Sequence, residues 1–471
     1  MRLIPIYTWN KSIKKFENKT VKLSNQPWSQ GVLLLLCVVL AMLLANLPFT
    51  KVFYRDFLET SLQFHCTSPD GHIDLLFPRD MTVEKFINDI LMVIFFFTVG
   101  LEIKREVAYG ELSSVKKAML PVIAAFGGVV FPALIFTLVN HGSAAASGWG
   151  IPTATDIAFA VCILSVLGDK VPVSLKVFLT ALAIADDLIA ILVVAIFYGG
   201  QINLTLLAIS LLVIVITLVL RKIGEKHIAV YVALAMVVWA LFYYSGIHAT
   251  MSGVVMAFLI PSQPRYNKAY FMHKRDFYNA KIDEWDTPEN EALGFPCGPQ
   301  RHYLRELHKL AQGSMDMSYR VEHKLSPWVN FLIMPIFALA NAGVEITDLS
   351  YFNIFKFDPA LGSVSMGIFL GLLLGKPLGI TLTSFLAIKL KLGAMPEKAS
   401  WKMFFAVACL GGIGFTMSIF VDTLSFGGLD PEVTQALRDS GKIAVLLGSI
   451  CAGILGSILI NLVSKIERKK Q

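Results

Sequence analysis

The chain has 471 residues, of which 55% are hydrophobic and 16% charged, and its formal net charge is +7. Charged residues in soluble domains run near ~25%, and apolar runs of bilayer length recur along this chain. The composition therefore excludes a soluble globular protein and a protein with a single anchor, and leaves an all-α polytopic membrane protein. The positive balance needs no nucleic-acid partner, because membrane topology accounts for it.

A polar, basic cytoplasmic tail occupies residues 1–30 and carries no cleavable signal. Apolar windows then predict about twelve transmembrane helices, near 31–48, 86–103, 117–140, 150–167, 172–198, 203–220, 227–245, 247–262, 328–344, 364–388, 402–421 and 440–464. Spans 1–8 fill 31–262 and spans 9–12 fill 326–464, with a long cytoplasmic loop over 263–325 and a short tail over 465–471. Lys and Arg concentrate in the tails and in the connections on the N-terminal side, which predicts cytoplasmic N- and C-termini. The outer segment 49–85 carries the turn signal Ser68-Pro-Asp-Gly71 between Leu62-Gln-Phe64 and Ile73-Asp-Leu-Leu-Phe77, a pattern for a short β-hairpin. A hairpin is marginal alone in water, so its edge suits a partner; a packed loop without one is the other reading.

Polar residues punctuate the spans. Span 2 ends in Glu102, Lys104, Arg105 and Glu106, where surface pairing is the ordinary explanation. Span 4 opens on Trp149-Gly-Ile-Pro-Thr-Ala-Thr-Asp-Ile-Ala158, in which Pro152 cannot complete a helical ladder and Thr153, Thr155 and Asp156 offer oxygens in its wake. Span 5 holds Asp186 and Asp187 in the middle of the apolar run 178–197. Carboxylates at that depth are expensive and mark function by default. Successive helical residues point ~100° apart, so one of the pair can face an aqueous cavity while the other faces a neighbouring helix. His248 opens span 8, where a hydrogen-bonded structural histidine is the default and a proton sensor the alternative.

The 263–325 loop is mixed, with ten basic against nine acidic residues, and leucines at 304, 307 and 310 predict an amphipathic helix over 301–311 in an otherwise solvated linker. Glu322 and His323 precede span 9. Lys376 stands mid-span in Gly371-Leu-Leu-Leu-Gly-Lys-Pro-Leu-Gly379, far from an interface to which it could snorkel, so an intramembrane carboxylate is its expected partner. Gly411, Gly412 and Gly414 loosen span 11; taken alone such a cluster reads as close helix packing. Together with span 4, however, it makes two interrupted spans in separate halves, which point to a substrate site between them. Three deep carboxylates there face one ammonium, and a bound cation or protons bring the site to neutrality. The cysteines show no metal or redox spacing, and no cofactor is expected.

The chain resembles the NhaA-type Na⁺/H⁺ antiporter family, a bacterial sodium/proton antiporter family that serves as a general example of inverted repeats. The matching blocks are Ile87-Asn-Asp-Ile with Val99-Gly-Leu-Glu-Ile-Lys-Arg-Glu106, Thr153-Ala-Thr-Asp-Ile-Ala-Phe159, Ala183-Ile-Ala-Asp-Asp-Leu188, Gly246-Ile-His-Ala-Thr250, Phe337-Ala-Leu-Ala-Asn-Ala-Gly343, Gly375-Lys-Pro-Leu-Gly379 and Gly412-Ile-Gly-Phe-Thr-Met-Ser-Ile419. The resemblance implies two inverted three-helix repeats, spans 3–5 and 10–12, with interrupted helices 4 and 11 crossing near the midplane. By the same resemblance Asp187 would be the main Na⁺ and proton carboxylate and Asp186 its partner. Lys376 would pair with Asp186 in the cation-free form. Asp156, with Thr155 beside it, would compensate helix termini at the crossing. Glu102, Arg105, Glu106, His248 and Glu322 match positions associated with pH response, and the outer hairpin, 54–80, would form a homodimer contact. The implied activity is secondary, electrogenic, pH-regulated Na⁺ (or Li⁺)/H⁺ exchange across the bacterial inner membrane, serving regulation of intracellular pH. The 263–325 loop is longer than the family pattern.

Two rival functions bear comparison. A sodium-coupled organic-anion symporter of the same fold needs a cavity with more polar side chains than the sequence places near span 4. An intramembrane aspartyl protease needs two carboxylates converging on one water; adjacent Asp186 and Asp187 diverge, and the Gly-x-Gly-Asp signature of such enzymes is absent.

Overall fold

The computed structural model describes residues 26–468 apart from 27, 63–65, 69–70, 74–80, 201, 226, 288–294, 347–352, 356, 358–360 and 428. The described chain is almost entirely helical. It begins with α1 (Ser29–Asn46), a short surface helix α2 (Lys51–Glu59) and two three-residue strands, β1 (Cys66–Ser68) and β2 (Gly71–Ile73). These strands pair antiparallel with Cys66 opposite Ile73 and Ser68 opposite Gly71. The runs expected to flank the turn, 62–64 and 73–77, fall largely outside the described residues.

The membrane region continues with α3 (Met92–Tyr109), α4 (Val115–Val139), a 3₁₀ segment Ala144–Thr153, α5 (Ile157–Leu167), α6 (Val173–Phe197), α7 (Leu204–Ile223), α8 (Ile228–Ser245) and α9 (Met251–Leu259). Among the described residues eight helices are long and apolar enough to cross a membrane, and two bent helix pairs bring the number to ten. The remaining two predicted spans fall on shorter or more polar pieces. One is α9, with nine residues; the other is assembled from the polar lead-in α12 (Met317–Trp328), a π-turn Val329–Ile333 and α13 (Met334–Asn341). Among the described residues of the long loop lie α10 (Lys268–Glu284) and α11 (Gly298–Ser314), with the Tyr278 and Tyr303 rings 6.4 Å apart between them, and α12 begins at its end. A single helix in a solvated linker was the sequence expectation; the mutual packing of these aromatic faces accounts for the second.

Local chemistry explains the helix ends. The Asn203 side chain accepts from the N–H groups of Thr205 and Leu206 to start α7, and Gly224, at φ +94°, ends it in the left-handed region that glycine enters without penalty. The second half of the bundle consists of α14 (Val364–Leu370), α15 (Lys376–Lys389), α16 (Trp401–Leu410), α17 (Phe415–Ser425) and α18 (Pro431–Arg468). A π-turn, Gly371–Gly375, joins α14 to α15. Pro377 follows it, and a proline lacks the N–H of the regular ladder and clashes with the turn before it; one widened turn relieves both faults. The same pairing of π-turn and proline recurs at Val329–Ile333 and Pro335.

Small residues set how closely helices approach where lipid removes any hydrophobic drive between them. A Cβ on Gly379 of α15 would stand 2.2 Å from the carbonyl oxygen of Gly127 on α4, and one on Gly127 would stand 2.5 Å from that of Gly379. The two backbones therefore touch at a reciprocal glycine contact. Gly379→Val should destabilise the protein by ~1–3 kcal/mol through overpacking, read as a lowered midpoint of thermal unfolding in detergent. Lipid-facing Leu382→Val should leave that midpoint nearly unchanged.

Candidate functional site

The two broken spans meet in the interior. The 3₁₀ segment Ala144–Thr153 and the helix Ile157–Lys170 bend by 42° about residues 154–156, and α16 and α17 bend by 52° about Gly411–Gly414. The first broken piece starts at Ala144, earlier than the predicted residue 150, as a 3₁₀ segment that contains Pro152. The Asp156 N–H donates to the Ile413 carbonyl at 2.7 Å, so the breaks are bonded directly to one another. Gly412 is required there, since a Cβ on it would lie 2.3 Å from the Leu372 carbonyl oxygen in the π-turn before Lys376.

Asp156 serves two helices. Its Oδ1 accepts from the Phe159 N–H at 3.2 Å, capping α5, while its Oδ2 accepts from the Thr416 N–H at 3.2 Å and from the Thr416 hydroxyl, capping α17. A carboxylate suits both N-termini because their free N–H groups carry partial positive charge. Phe415, the first residue of α17, has φ +26°, a strained value for a non-glycine residue, and the Ser449 hydroxyl accepts its N–H at 3.1 Å.

Asp186, Asp187 and Lys376 are 2%, 2% and 0% exposed. The Lys376 ammonium donates to Asp186 Oδ2 at 2.6 Å and to the Thr155 hydroxyl oxygen. That hydroxyl has one proton and two acceptors in reach, Asp186 Oδ2 at 2.5 Å and the Gly411 carbonyl at 3.0 Å. Thr155 thus ties the ion pair to the C-terminal end of α16, while its neighbour Asp156 holds the N-terminal end of α17. Asp187, turned away by helical geometry, takes no part in this pair, and its Oδ1 is buried without a hydrogen-bond partner among the described residues, as is Oδ1 of Asp186.

The chemistry open to this arrangement follows from charge. Lys376 is ion-paired to Asp186 and Asp156 has its hydrogen-bond donors, whereas Asp187 makes no ion pair and its Oδ1 has no donor among the described residues, so its charge calls for a cation or a proton. Among the described residues no three His, Cys, Asp or Glu side chains gather into a metal cluster. A cation held here would lean on one or two carboxylates and on carbonyl or hydroxyl oxygens.

The residues expected to respond to pH divide into two places. Arg105 makes an ion pair with Glu322 and lies 3.2 Å from Glu106 and 3.6 Å from Glu102, linking α3 to the lead-in helix α12. His248 stands apart from them on the opposite side of the membrane region, its Nε2 2.5 Å from the Tyr198 carbonyl.

Other polar contacts were not anticipated from the sequence. Asn88 and Asn341 exchange two amide hydrogen bonds at 3.0 and 2.8 Å, joining the start of the second span to the end of α13. Both lie in blocks that carry the resemblance, which was the available signal. Lys104 donates to the carbonyls of Ala257, Phe258 and Ile260 at the end of α9, where a cation complements the helix terminus. Asp422 is fully buried in α17; ending the predicted span at residue 421 left it outside the bilayer.

Comparison with known proteins gives the chain's family. The family model described as Na⁺/H⁺ antiporter 1 matches residues 22–460. The Na(+)/H(+) antiporter NhaA of Sulfurimonas denitrificans is 38% identical over 457 residues, covering 97% of this chain and 98% of its own. The proteins of the same name from Shigella dysenteriae serotype 1 and Escherichia coli O157:H7 are each 38% identical over 429 residues, covering 91% of this chain and 94% of theirs. The solved sodium proton antiporter MjNhaP1 from Methanocaldococcus jannaschii superimposes over 92% of this chain and 96% of its own, with a TM-score of 0.49 and 14% identity. With a family match across nearly its whole length and relatives at this identity, the chain belongs to the Na⁺/H⁺ antiporter 1 family.

Proposed function

We propose that this chain is a secondary transporter that exports Na⁺, or Li⁺, in exchange for inward protons, and that Asp187 is the carboxylate for which the two ions compete. The observation that carries the reading is a buried carboxylate outside any ion pair, with its Oδ1 unpartnered among the described residues, set beside a Lys376–Asp186–Thr155 group where two broken spans meet. A carboxylate holds Na⁺ only when ionised, so proton and Na⁺ exclude one another. Exclusion becomes coupled exchange when the site opens to one side at a time. Asp186 completes the cation site in this reading. Lys376 releases it as Na⁺ arrives and takes it back when Na⁺ leaves, with Thr155 guiding the exchange and Asp156 holding the half-helices in register.

The reading carries the further expectations with it. Twelve spans in two inverted repeats, spans 3–5 and 10–12, give the rocking geometry; both termini face the cytoplasm; and the protein resides in the bacterial inner membrane. More protons than Na⁺ move per cycle, making exchange electrogenic, and a homodimer forms through the 54–80 segment. Arg105, Glu102, Glu106 and Glu322 form a pH-responsive tether on the cytoplasmic face, and His248 responds at the outer face.

Asp187→Asn in everted vesicles should abolish Na⁺-dependent collapse of a pH gradient; retained exchange would remove Asp187 from the ion site. Lys376→Met leaves Asp186 buried without its counter-charge, which costs on the order of 3–5 kcal/mol. Unfolding should occur at lower temperature, and lowered pH should recover part of the loss by protonating the orphaned carboxylate.

Burial pushes the Glu322 carboxyl above the ordinary glutamate range, and Arg105 acts against that shift. Glu322 therefore gains a proton at a higher pH than an exposed glutamate does as the medium acidifies, and the charged pair with Arg105 forms only as pH rises through the raised value. Glu322→Gln removes this step. Its exchange rate, scanned against cytoplasmic pH, should lose part of the alkaline activation of the parent; superimposable profiles would exclude Glu322 from pH control.

A further inference from the structure

Asp422 is the deep charge that the exchange site leaves unused. It lies on α17 in register with Ser418 and Ser425, at i−4 and i+3, so the three share one helix face. All three are buried: Ser418 and Asp422 are 0% exposed and Ser425 is 3% exposed. Neither oxygen of Asp422, nor the hydroxyl of Ser418, has a hydrogen-bond partner among the described residues. Asp156 shows what a structural carboxylate looks like in this protein, with three donors on two helix N-termini. Asp422 caps nothing. It sits in the last turns of its helix, where the helix dipole opposes negative charge.

The charged and titratable groups facing it are Lys442, Arg438 and Asp439 from α18 and the Tyr198 hydroxyl from the end of α6. None of them bonds it. Arg438 donates instead to the Thr423 carbonyl, and Asp439 accepts from Gln435 at 3.1 Å. Space for the carboxyl is made by Gly441, where a Cβ would stand 2.1 Å from Asp422 Oδ1.

The face connects two regions. At one end Ser418 packs on the break of the eleventh span, its Oγ 2.1 Å from where a Cβ on Gly414 would be. At the other, Ser425 lies within reach of the Tyr198 hydroxyl, which accepts from the Gly150 N–H and donates to the Ser147 carbonyl, each at 2.9 Å, on the exposed side assigned above as outer.

We propose that Asp422 is a second proton-carrying carboxylate, a way-station between the outer solution and the crossing; the proposal rests on the Na⁺/H⁺ exchange reading. A proton from the outer solution adds to an ionised Asp422 oxygen. It then leaves Asp422 along the face toward the crossing, where an ionised aspartate accepts it. One proton enters, one arrives, and Asp422 ends as it began.

The test uses the full-length protein in proteoliposomes of uniform orientation, with outer pH varied at fixed inner pH. Asp422→Asn should exchange like the parent at acidic outer pH and fall behind on the order of a hundredfold at alkaline outer pH, while variation of inner pH leaves the ratio unchanged. Asp422→Glu, which keeps a titratable group, should restore activity with a displaced outer-pH midpoint. If the Asn variant does not reach the membrane, that displaced midpoint alone decides: an unshifted one overturns the proposal. Outer-pH dependence identical to the parent in Asp422→Asn, even with lowered thermal stability, assigns Asp422 to packing and also overturns it. Asp187→Asn in parallel tests the exchange reading separately: that reading expects loss of exchange at every pH, and retained exchange overturns it whatever Asp422→Asn shows.

Discussion

The crossing depends on the sharing of one carboxylate, Asp156, between helices from two different spans. Breaking a helix inside a bilayer exposes N–H and C=O groups that no water satisfies. Here the N-terminal groups of α5 and α17 converge on Asp156, and the Gly411 carbonyl at the end of α16 faces the Thr155 hydroxyl. Adjacent residues thus answer opposite partial charges. Because one side chain holds both half-helices, neither break can move without the other, and this lets a site between them keep its shape in a lipid environment.

The ion pair beside this crossing has a different physical character. Lys376 and Asp186 are buried, and each is tolerable only because the other is 2.6 Å away. Buried pairs of this kind contribute little net stability, because desolvation consumes most of the attraction. In the proposed exchange their value lies in being separable once a competing cation supplies the missing charge. The glycines around them, Gly412 against Leu372 and Gly379 against Gly127, bring backbone close enough for a lysine on one span to reach an aspartate on another.

In the proposed function, distance also separates exchange from control. The Arg105 cluster joins α3 to the polar helix α12 at one face, whereas His248 and the Asp422 face of α17 belong to the other. A carrier that opens alternately has two solutions to sense, and in the proposed function titratable groups at both faces would give each solution its own influence. The long loop enters this arrangement through α12, which follows α11 and carries Glu322.

Much of this was legible along the chain because a bilayer punishes polar groups severely. Asp186, Asp187, Lys376 and Asp156 stood out in apolar runs, and Pro152 and the glycines of 411–414 marked the breaks, since each local signal concerns a residue and its immediate neighbours. What the sequence could not decide was reach. That Thr155 bridges Lys376 and Asp186, that Asp156 caps a helix some 260 residues away, and that Asn88 meets Asn341 follow from how spans pack, a property of glycine contacts and helix bends distributed over the whole chain. Asp422 shows the boundary most plainly. Hydropathy ended its span one residue too soon, and only the tertiary structure, by continuing α17 to Ser425 and packing α18 over it, put that carboxylate in the interior.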